Sequence, residues 1–193
     1  MRKIPTLFKR EFKDHKVVMI MDDVTPGLEW VLKGDGVATL KIDGSCCAVI
    51  NGEYYKRYDA KAGKTPPAGA IPCQDAPDSV TGHWPHWVKL DRSNPADKWF
   101  FEAFHRWPLP DGTYEAIGPH FQGNPYNLRV DTVYRHGSVP IPEFPRDFLG
   151  MYEYLRTHDI EGVVFWKDGS PRCKIKRSDF GFQWPVKGGA YDA

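Results

Sequence analysis

The sequence predicts an α+β fold built mostly from antiparallel sheets. Glycine supplies 18 and proline 17 of the 193 residues, which is too many turn formers for a helical bundle. Two dipeptides, Asn51-Gly52 and Asp168-Gly169, each interrupt an apolar and β-branched run, and such dipeptides favour tight hairpin turns. Two further stretches show helical spacing, so we expect strands to dominate and two helices to pack against them.

The first predicted elements lie between residues 36 and 61. The Asn51-Gly52 turn requires positive φ angles, and it predicts that residues 46–50 pair with residues 53–58. Residues 62–85 are rich in proline and glycine, which indicates a long surface loop.

The middle of the chain predicts a helix over residues 93–107. Ser93 or Asn94 provides the N-terminal cap, and Pro95 suits the first turn. Helical spacing relates the apolar residues of this stretch: Trp99, Phe100, Ala103, Phe104 and Trp107.

The second half of the chain predicts four more elements. Strands are expected over residues 113–118 and 129–135. A helix is expected over residues 145–158, with Phe148, Leu149, Tyr152 and Leu155 on one face. A second hairpin is expected from strands 160–166 and 172–176 around Asp168-Gly169.

The register of this second hairpin places charged residues together. With Asp168-Gly169 as the turn, Lys176 is expected opposite Glu161, and Lys174 opposite Val163. The predicted faces then hold Glu161, Lys174 and Lys176 on one side and Val164 and Ile175 on the other. A surface ion pair worth about 0.2–1 kcal/mol would give the same pattern.

A second pattern favours chemistry over a surface ion pair. Lys41 and Asp43 share a face of a predicted strand that ends at Gly44. The other residues of this strand are apolar, so Lys41 is expected to lose part of its hydration. Desolvation favours the neutral amine, which is the nucleophilic form.

The quartet Lys41-Ile42-Asp43-Gly44 resembles motif I of the covalent nucleotidyltransferases, the superfamily of ATP-dependent DNA ligases, RNA ligases and mRNA capping guanylyltransferases. Four further stretches resemble motifs Ia, III, IV and V in the same order: Arg57 within residues 55–61, Glu115 within residues 114–119, Glu161-Gly162-Val163-Val164 and Lys174-Ile175-Lys176. Ser45 after Gly44, and Cys46 where DNA ligases and capping enzymes usually carry arginine, favour the RNA ligase branch.

The resemblance implies a nucleotidyltransferase fold of the ATP-grasp-like type, with flanking helices and ATP in a cleft between sheets. Lys41 would attack the α-phosphate of ATP and form a lysyl-adenylate, while Lys174 and Lys176 neutralise that phosphate. AMP would then pass to an RNA 5′-phosphate end, and an RNA 3′-hydroxyl end would displace it, as in RNA repair.

The resemblance also implies the remaining ligand contacts. Asp43 and Glu161 would help hold Mg²⁺ or Mn²⁺, because hard cations take oxygen ligands. Arg57 suits a phosphate or ribose contact, and Glu115 can accept hydrogen bonds from ribose hydroxyls. Two adenine contacts complete the expected set, an aromatic cover from Tyr134 and recognition through the strand backbone at Thr39.

Length and composition set the remaining expectations. We expect one domain spanning residues 1–193, because 41% of the residues are apolar. The chain has no apolar run long enough for a membrane span and no signal peptide pattern, so a cytoplasmic location is expected and a membrane partner is not. The cysteines form no C-x-x-C pair, which argues against a disulfide framework, and the uneven spacing of Cys73, His83 and His86 argues against a zinc site.

Seventeen residues follow Lys176, so no OB-fold or other C-terminal domain is expected. Two candidates could replace such a domain in holding an RNA end. One is the basic N-terminal segment, since residues 1–16 hold six basic and two acidic side chains, as residues 167–187 also do. The other is a partner protein that supplies the domain.

Two alternative functions remain open at this stage. One is a nucleotidyltransferase of another branch, either a DNA ligase or a capping-type guanylyltransferase. The other is a non-catalytic module that binds a nucleotide or an RNA end. Retention of both motif V lysines and both acidic metal ligands argues against the second.

Overall fold

A computed structural model describes residues 1–13, 16–79, 81–105 and 108–186. In these residues eleven strands and two α-helices alternate in the order β1 (Phe8–Lys13), β2 (Lys16–Val24), β3 (Val37–Lys41), β4 (Ser45–Ile50), β5 (Glu53–Ala60), β6 (Ile71–Pro72), β7 (Trp84–Lys89), α1 (Lys98–Phe104), β8 (Gly112–Ile117), β9 (Thr132–Arg135), α2 (Phe148–Thr157), β10 (Gly162–Lys167) and β11 (Ser170–Lys176). The predicted α+β class is confirmed.

The chain divides into two compact units that are nested in sequence. Unit 1 comprises Met1–Lys3 and Asp43–His136, and unit 2 comprises Ile4–Ile42 and the chain from Gly137 onward. The second boundary falls inside the Lys41-Ile42-Asp43-Gly44 quartet. Lys41 therefore belongs to unit 2, whereas Asp43 belongs to unit 1.

Unit 1 is built on a six-stranded sheet in the order β6-β7-β5-β4-β8-β9, and every neighbouring pair is antiparallel. The predicted hairpin around Asn51-Gly52 is confirmed, with φ angles of 51° and 74° at the turn. The Asp111 carboxylate accepts hydrogen bonds from both turn N–H groups, at 2.7 and 3.0 Å. A residue 60 positions away thus fixes the conformation of this turn.

One face of the six-stranded sheet packs into the core of unit 1. The buried residues of this core are Cys47, Val49, Leu90, Ala103, Phe104, Tyr114, Ala116 and Phe121. Asn94 accepts a hydrogen bond from the Ala96 N–H and caps the 3₁₀ turn that leads into α1, as the sequence predicts. Trp107, predicted on the same helix face, lies outside the described residues.

Unit 2 contains a three-stranded antiparallel sheet in the order β11-β10-β3 and a separate hairpin of β1 and β2, which was not predicted. Its core consists of Leu7, Phe8, Ile20, Leu28, Val31, Ala38, Phe144, Met151, Leu155, Val163, Phe165, Cys173 and Ile175. Among the described residues, no helix combines the length and apolar character required to cross a membrane.

Helix α2 begins after Asp147, whose side chain accepts a hydrogen bond from the Gly150 N–H at 2.8 Å. Its buried residues are Met151 and Leu155, which are four positions apart and therefore share a face. Leu149, predicted to share a face with Leu155, is 70% exposed whereas Leu155 is fully buried, so that part of the prediction is wrong.

Candidate active site

Three lysines lie on one face of the three-stranded sheet in unit 2. Lys41 on β3 and Lys176 on β11 both pair with Gly162 of β10, which lies between them. Lys174 precedes Lys176 by two residues, and Thr39 precedes Lys41 by two, so both share that face. We call these four residues the lysine face.

The predicted register of the second hairpin is wrong by one residue. The observed pairs are Lys176 opposite Gly162 instead of Glu161, and Lys174 opposite Val164 instead of Val163. The cause is an irregularity between Phe165 and Trp166, where the ladder shifts by one position.

This shift changes which valine faces the core. Val163 and Ile175 are both fully buried and pair with each other, whereas the prediction placed Val164 on the same face as Ile175. Val164 instead lies on the lysine face, opposite Thr39 and Lys174. Lys174 and Lys176 still share a face, because the shift changes the pairing partner of each by the same one position.

Glu161 lies just before β10 and turns its carboxylate toward Lys41. Its Oε2 atom is 2.5 Å from Lys41 Nζ, and the two side chains are 12% and 23% exposed. Gly162 leaves no room for a side chain, because an added Cβ would collide with the Ile175 carbonyl oxygen. The glycine after Glu161 is therefore explained by the close approach of β11.

The surroundings of Lys174 on the lysine face disfavour its charged form. Burial lowers its pKa to about 8, and the nearby charges of Lys41, Lys176 and Arg10 act in the same direction. Residues 5–7 run parallel to β11 here and exchange two backbone hydrogen bonds with Lys174, at 2.8 and 3.0 Å. A clustered, partly desolvated set of cations suits a phosphate ligand.

Thr39 lies at the edge of the lysine face and is buried, with its hydroxyl donating to the Val164 carbonyl at 3.3 Å. Thr39 also lines a cavity of about 570 Å³ within unit 2, together with Val37, Trp166 and Gly137. The cavity is large enough to admit part of a nucleotide.

The six-stranded sheet of unit 1 presents a polar face opposite its core. Cys46 on β4 pairs with Glu115 on β8, which in turn pairs with Tyr134 on β9. Arg57 on β5 falls on the same face, because the β4–β5 ladder pairs Cys47 with Lys56. Three predicted residues, Arg57, Glu115 and Tyr134, thus share one face, and Tyr134 is 43% exposed.

Glu115 has a partner that the sequence analysis missed. His136 Nε2 is 2.7 Å from Glu115 Oε2, and His136 Nδ1 is 3.0 Å from the Thr113 hydroxyl. The alternation rule could have found His136, because it follows Tyr134 by two residues. The pairing of β8 with β9 was needed to show that it reaches Glu115.

Arg57 also has a partner that was not predicted. Its guanidinium binds the Asp59 carboxylate through Nε at 2.9 Å and Nη2 at 3.3 Å. Asp59 is two residues further along β5 and therefore lies on the same face. A phosphate contact from Arg57 would have to exchange with this ion pair.

Asp43 lies between the end of β3 and the start of β4. The strand alternation on which its predicted shared face with Lys41 depended stops at Lys41. The Asp43 backbone N–H donates to the Tyr126 hydroxyl at 2.6 Å. Gly44 has no room for a Cβ, because the Ala116 carbonyl oxygen of β8 lies against it.

Each unit therefore gathers its own subset of the predicted residues. Unit 2 brings together Thr39, Lys41, Glu161, Lys174 and Lys176, and unit 1 holds Asp43, Arg57, Glu115 and Tyr134. Within unit 2 the arrangement is a lysine paired with a carboxylate beside two more lysines. This combination can activate an amine and bind an anion.

Comparisons with known proteins identify similar sequences over nearly the whole chain. The chain is 26% identical to proteins named RNA ligase 1 from Rattus norvegicus and Mus musculus, in alignments that cover 96% of this chain and 82% of each relative. The protein of the same name from Danio rerio is 24% identical with the same coverage. No protein-family model matches the chain. The similarities support an RNA ligase family.

Proposed function

We propose that this protein is an ATP-dependent RNA ligase that works through a lysyl-adenylate on Lys41. The observation that carries the proposal is the lysine face, where Lys41 contacts the Glu161 carboxylate and shares a sheet face with Lys174 and Lys176. The similarity to proteins named RNA ligase 1 supports the same conclusion. Together these two observations support an enzyme that acts on RNA.

The first step would be attack of the Lys41 Nζ lone pair on the α-phosphorus of ATP. A phosphorus–nitrogen bond forms, the bond from the α-phosphorus to the bridging oxygen breaks, and pyrophosphate leaves with that electron pair. Lys41 must lose a proton for this step. Glu161 Oε2, at 2.5 Å, is placed to take this proton and pass it to solvent, which leaves the carboxylate ionised and able to hold the cation.

Lys174 and Lys176 would stabilise the charge that builds up on the α-phosphate oxygens. Their positions are set by strand β11, so little reorganisation is needed when the phosphate arrives. The lowered pKa of Lys174 follows from burial among cations, and an anion in that place would relieve the repulsion.

The nucleoside of ATP would be held by the remaining residues of the predicted set. Thr39 lines the cavity in unit 2, and this position supports a role in adenine recognition. Glu115 would accept hydrogen bonds from ribose hydroxyls, Arg57 would contact phosphate or ribose, and Tyr134 would cover the adenine. The exposure of the Tyr134 side chain is compatible with stacking on a ligand.

Asp43 and Glu161 would hold Mg²⁺ or Mn²⁺, which neutralises phosphate charge when bound. The carboxylates fit this role by donor type, because hard divalent cations prefer oxygen ligands. Glu161 lies directly beside the proposed nucleophile. Its position suits a residue that acts close to the α-phosphate.

Two further phosphoryl transfers would complete ligation. An RNA 5′-phosphate oxygen attacks the phosphorus of the lysyl-adenylate, the phosphorus–nitrogen bond breaks, and Lys41 recovers its amine. The RNA 3′-hydroxyl then attacks the 5′-phosphorus of the adenylylated end and releases AMP. In both steps catalysis depends mainly on positioning and charge neutralisation.

Covalent labelling tests the proposal. Incubation with ATP labelled at the α-phosphate and with Mg²⁺ or Mn²⁺ should label the wild-type protein, and Lys41→Ala should abolish the label. Lys33→Ala is the matched control, because Lys33 is an exposed lysine of unit 2, and it should retain the label. Absence of label on the wild type, or undiminished label on Lys41→Ala, would contradict the mechanism.

Labelling, sealing and binding measurements together separate the alternatives. Labelling by GTP in preference to ATP would indicate a capping-type guanylyltransferase, and sealing of DNA ends in preference to RNA ends would indicate a DNA ligase. Binding of nucleotide or RNA ends without any label would indicate a non-catalytic module. We expect labelling by ATP and sealing of RNA with 5′-phosphate and 3′-hydroxyl ends.

A further inference from the structure

The polar face of unit 1 gathers a thiol, a carboxylate and an imidazole at one point. The Cys46 Sγ atom, a Glu115 carboxylate oxygen and a His136 ring nitrogen all lie within 4.8 Å of one another. All three side chains are partly buried. In the described part of the chain, this is the one group of three or more His, Cys, Asp or Glu residues with such spacing, and it excludes Cys73, His83 and His86.

The strands fix this arrangement. Cys46 and Glu115 are direct cross-strand partners on β4 and β8, and His136 directly follows β9. Backbone pairing holds Cys46 and Glu115 side by side, and the His136 N–H donates to the Thr113 carbonyl of β8 at 3.0 Å, which holds the histidine next to them. Such prior organisation lowers the cost of binding.

The residue types select the class of cation. Sulfur, imidazole nitrogen and carboxylate oxygen together suit Zn²⁺ and similar transition metals, whereas Mg²⁺ and Ca²⁺ prefer oxygen ligands throughout. His136 also has the outer contact that metal-bound histidines usually have. The Thr113 hydroxyl lies 3.0 Å from Nδ1, and Nε2 faces Glu115.

We propose that Cys46, Glu115 and His136 bind one transition-metal cation of the Zn²⁺ class. The three side chains supply three ligands, and a water molecule completes a tetrahedral site. Binding removes the proton from the Cys46 thiol and leaves a metal–thiolate bond. This site is distinct from the hard-cation site proposed at Asp43 and Glu161.

One consequence rests on the proposed function. Glu115 is also the residue proposed to accept hydrogen bonds from the ribose of ATP, and a carboxylate bound to a metal is a weaker acceptor. The cation and the ribose of ATP should therefore compete for the Glu115 carboxylate. Zinc would then act as an inhibitor of lysyl-adenylate formation.

Titration with Co²⁺ tests the site without any catalytic readout. Wild-type protein should bind one equivalent and show thiolate-to-cobalt charge-transfer absorption, and Zn²⁺ should displace the signal. Cys46→Ala should lose the charge-transfer absorption. Cys47→Ala is the matched control, because the neighbouring thiol lies on the core face, and it should keep the absorption.

Two further variants sharpen the test. His136→Gln should weaken Co²⁺ binding strongly, and Thr113→Val should weaken it by about 10–100-fold through loss of the outer contact. Absence of stoichiometric binding, or charge-transfer absorption that persists in Cys46→Ala, would overturn the proposal. Circular dichroism of each variant shows whether it has folded.

Competition is measured separately, by adding ATP to the cobalt-loaded protein. Loss of cobalt absorption on addition of ATP supports the shared use of Glu115 if the same concentration of inorganic triphosphate, which also chelates Co²⁺, leaves the absorption unchanged. Retained absorption in a protein that becomes labelled at Lys41 overturns the competition. If labelling fails altogether, the proposed ligase function falls, and the cobalt result still decides the metal site.

Discussion

Lys174 carries its charge in surroundings that disfavour it. Its side chain is partly buried beside Lys41, Lys176 and Arg10, and its pKa falls from 10.5 to about 8. At neutral pH the folded protein must hold a charged ammonium that the unfolded chain would hydrate freely. The residue therefore costs stability, as expected of a group selected for a ligand rather than for the fold.

Replacement of Lys174 should reveal this cost. Because the folded pKa is lower than the unfolded pKa, the penalty is complete below about pH 8 and disappears as the pH rises through 10.5. Lys174→Met should stabilise the protein at neutral pH by about 1–4 kcal/mol, and the gain should shrink toward alkaline pH. Denaturant unfolding at several pH values measures it.

The control for this experiment is Lys33→Met, which removes an exposed lysine and should leave stability unchanged within about 0.5 kcal/mol. Unchanged or reduced stability of Lys174→Met at neutral pH would mean that attraction to Glu161 outweighs burial. Lys174→Met should also lose labelling by ATP. This result would connect the destabilising charge of Lys174 with the proposed phosphate contact.

At the scale of elements, the irregularity in β10 decides which side chains face the core. It lies between Phe165 and Trp166, and it assigns Val163 to the core and Val164 to the lysine face. The uninterrupted register predicted from the turn would assign the two valines in the opposite way. Neighbouring residues of identical type thus give a direct test of the register.

Threonine has almost the same shape as valine but adds a hydroxyl group. Val163→Thr should destabilise the protein by about 1–3 kcal/mol, because the hydroxyl would be buried among apolar side chains. Val164→Thr should cost less than about 1 kcal/mol, since that residue is only half-buried. Chemical denaturation measures both, and a reversed order would contradict the observed register.

The sequence predicted the turns, caps and helices that depend on residues close to one another in the chain. The Asn51-Gly52 hairpin, the Asn94 cap and the two helices follow from residues that are close in sequence. The pairing of β3 with β10 was not predicted, because no local signal links strands that are 120 residues apart. The shifted ladder in β10 was also missed, since neither Phe165 nor Trp166 is a turn-forming residue.

The candidate site shows the same division. The motif residues were found because they stand in ordered sequence patterns, and the structure groups the lysines as the sequence suggested. His136 and Asp59 were missed, because their importance depends on which strand lies beside theirs. A cross-strand partner cannot be identified until the sheet order is known.

At the scale of the whole molecule, residues 43–136 of unit 1 are inserted into the sequence of unit 2. Residues 43–136 contain the six-stranded sheet and a core of their own. Unit 2 instead needs β3 from one side of the insertion and β10 and β11 from the other. A single continuous fragment can therefore contain the whole six-stranded sheet of unit 1, but none shorter than residues 37–176 contains the three-stranded sheet of unit 2.

A fragment of residues 43–136 should fold alone and unfold cooperatively in denaturant. Phe104→Ala in this fragment should reduce its stability by about 3–5 kcal/mol, because Phe104 is fully buried. A fragment from residue 137 onward should give no cooperative transition, since the β10–β11 hairpin lacks β3. A disordered 43–136 fragment would contradict independent folding of unit 1.

The insertion of residues 43–136 between β3 and β10 also separates the synthesis of these two strands in time. Strand β10 is synthesised about 120 residues after its partner β3. At about 5–20 residues per second, Lys41 waits roughly 6–24 s before Glu161 exists. The proposed nucleophile therefore gains its carboxylate partner only after residues 43–136 have been made, so the lysine face cannot assemble before that part of unit 1 exists.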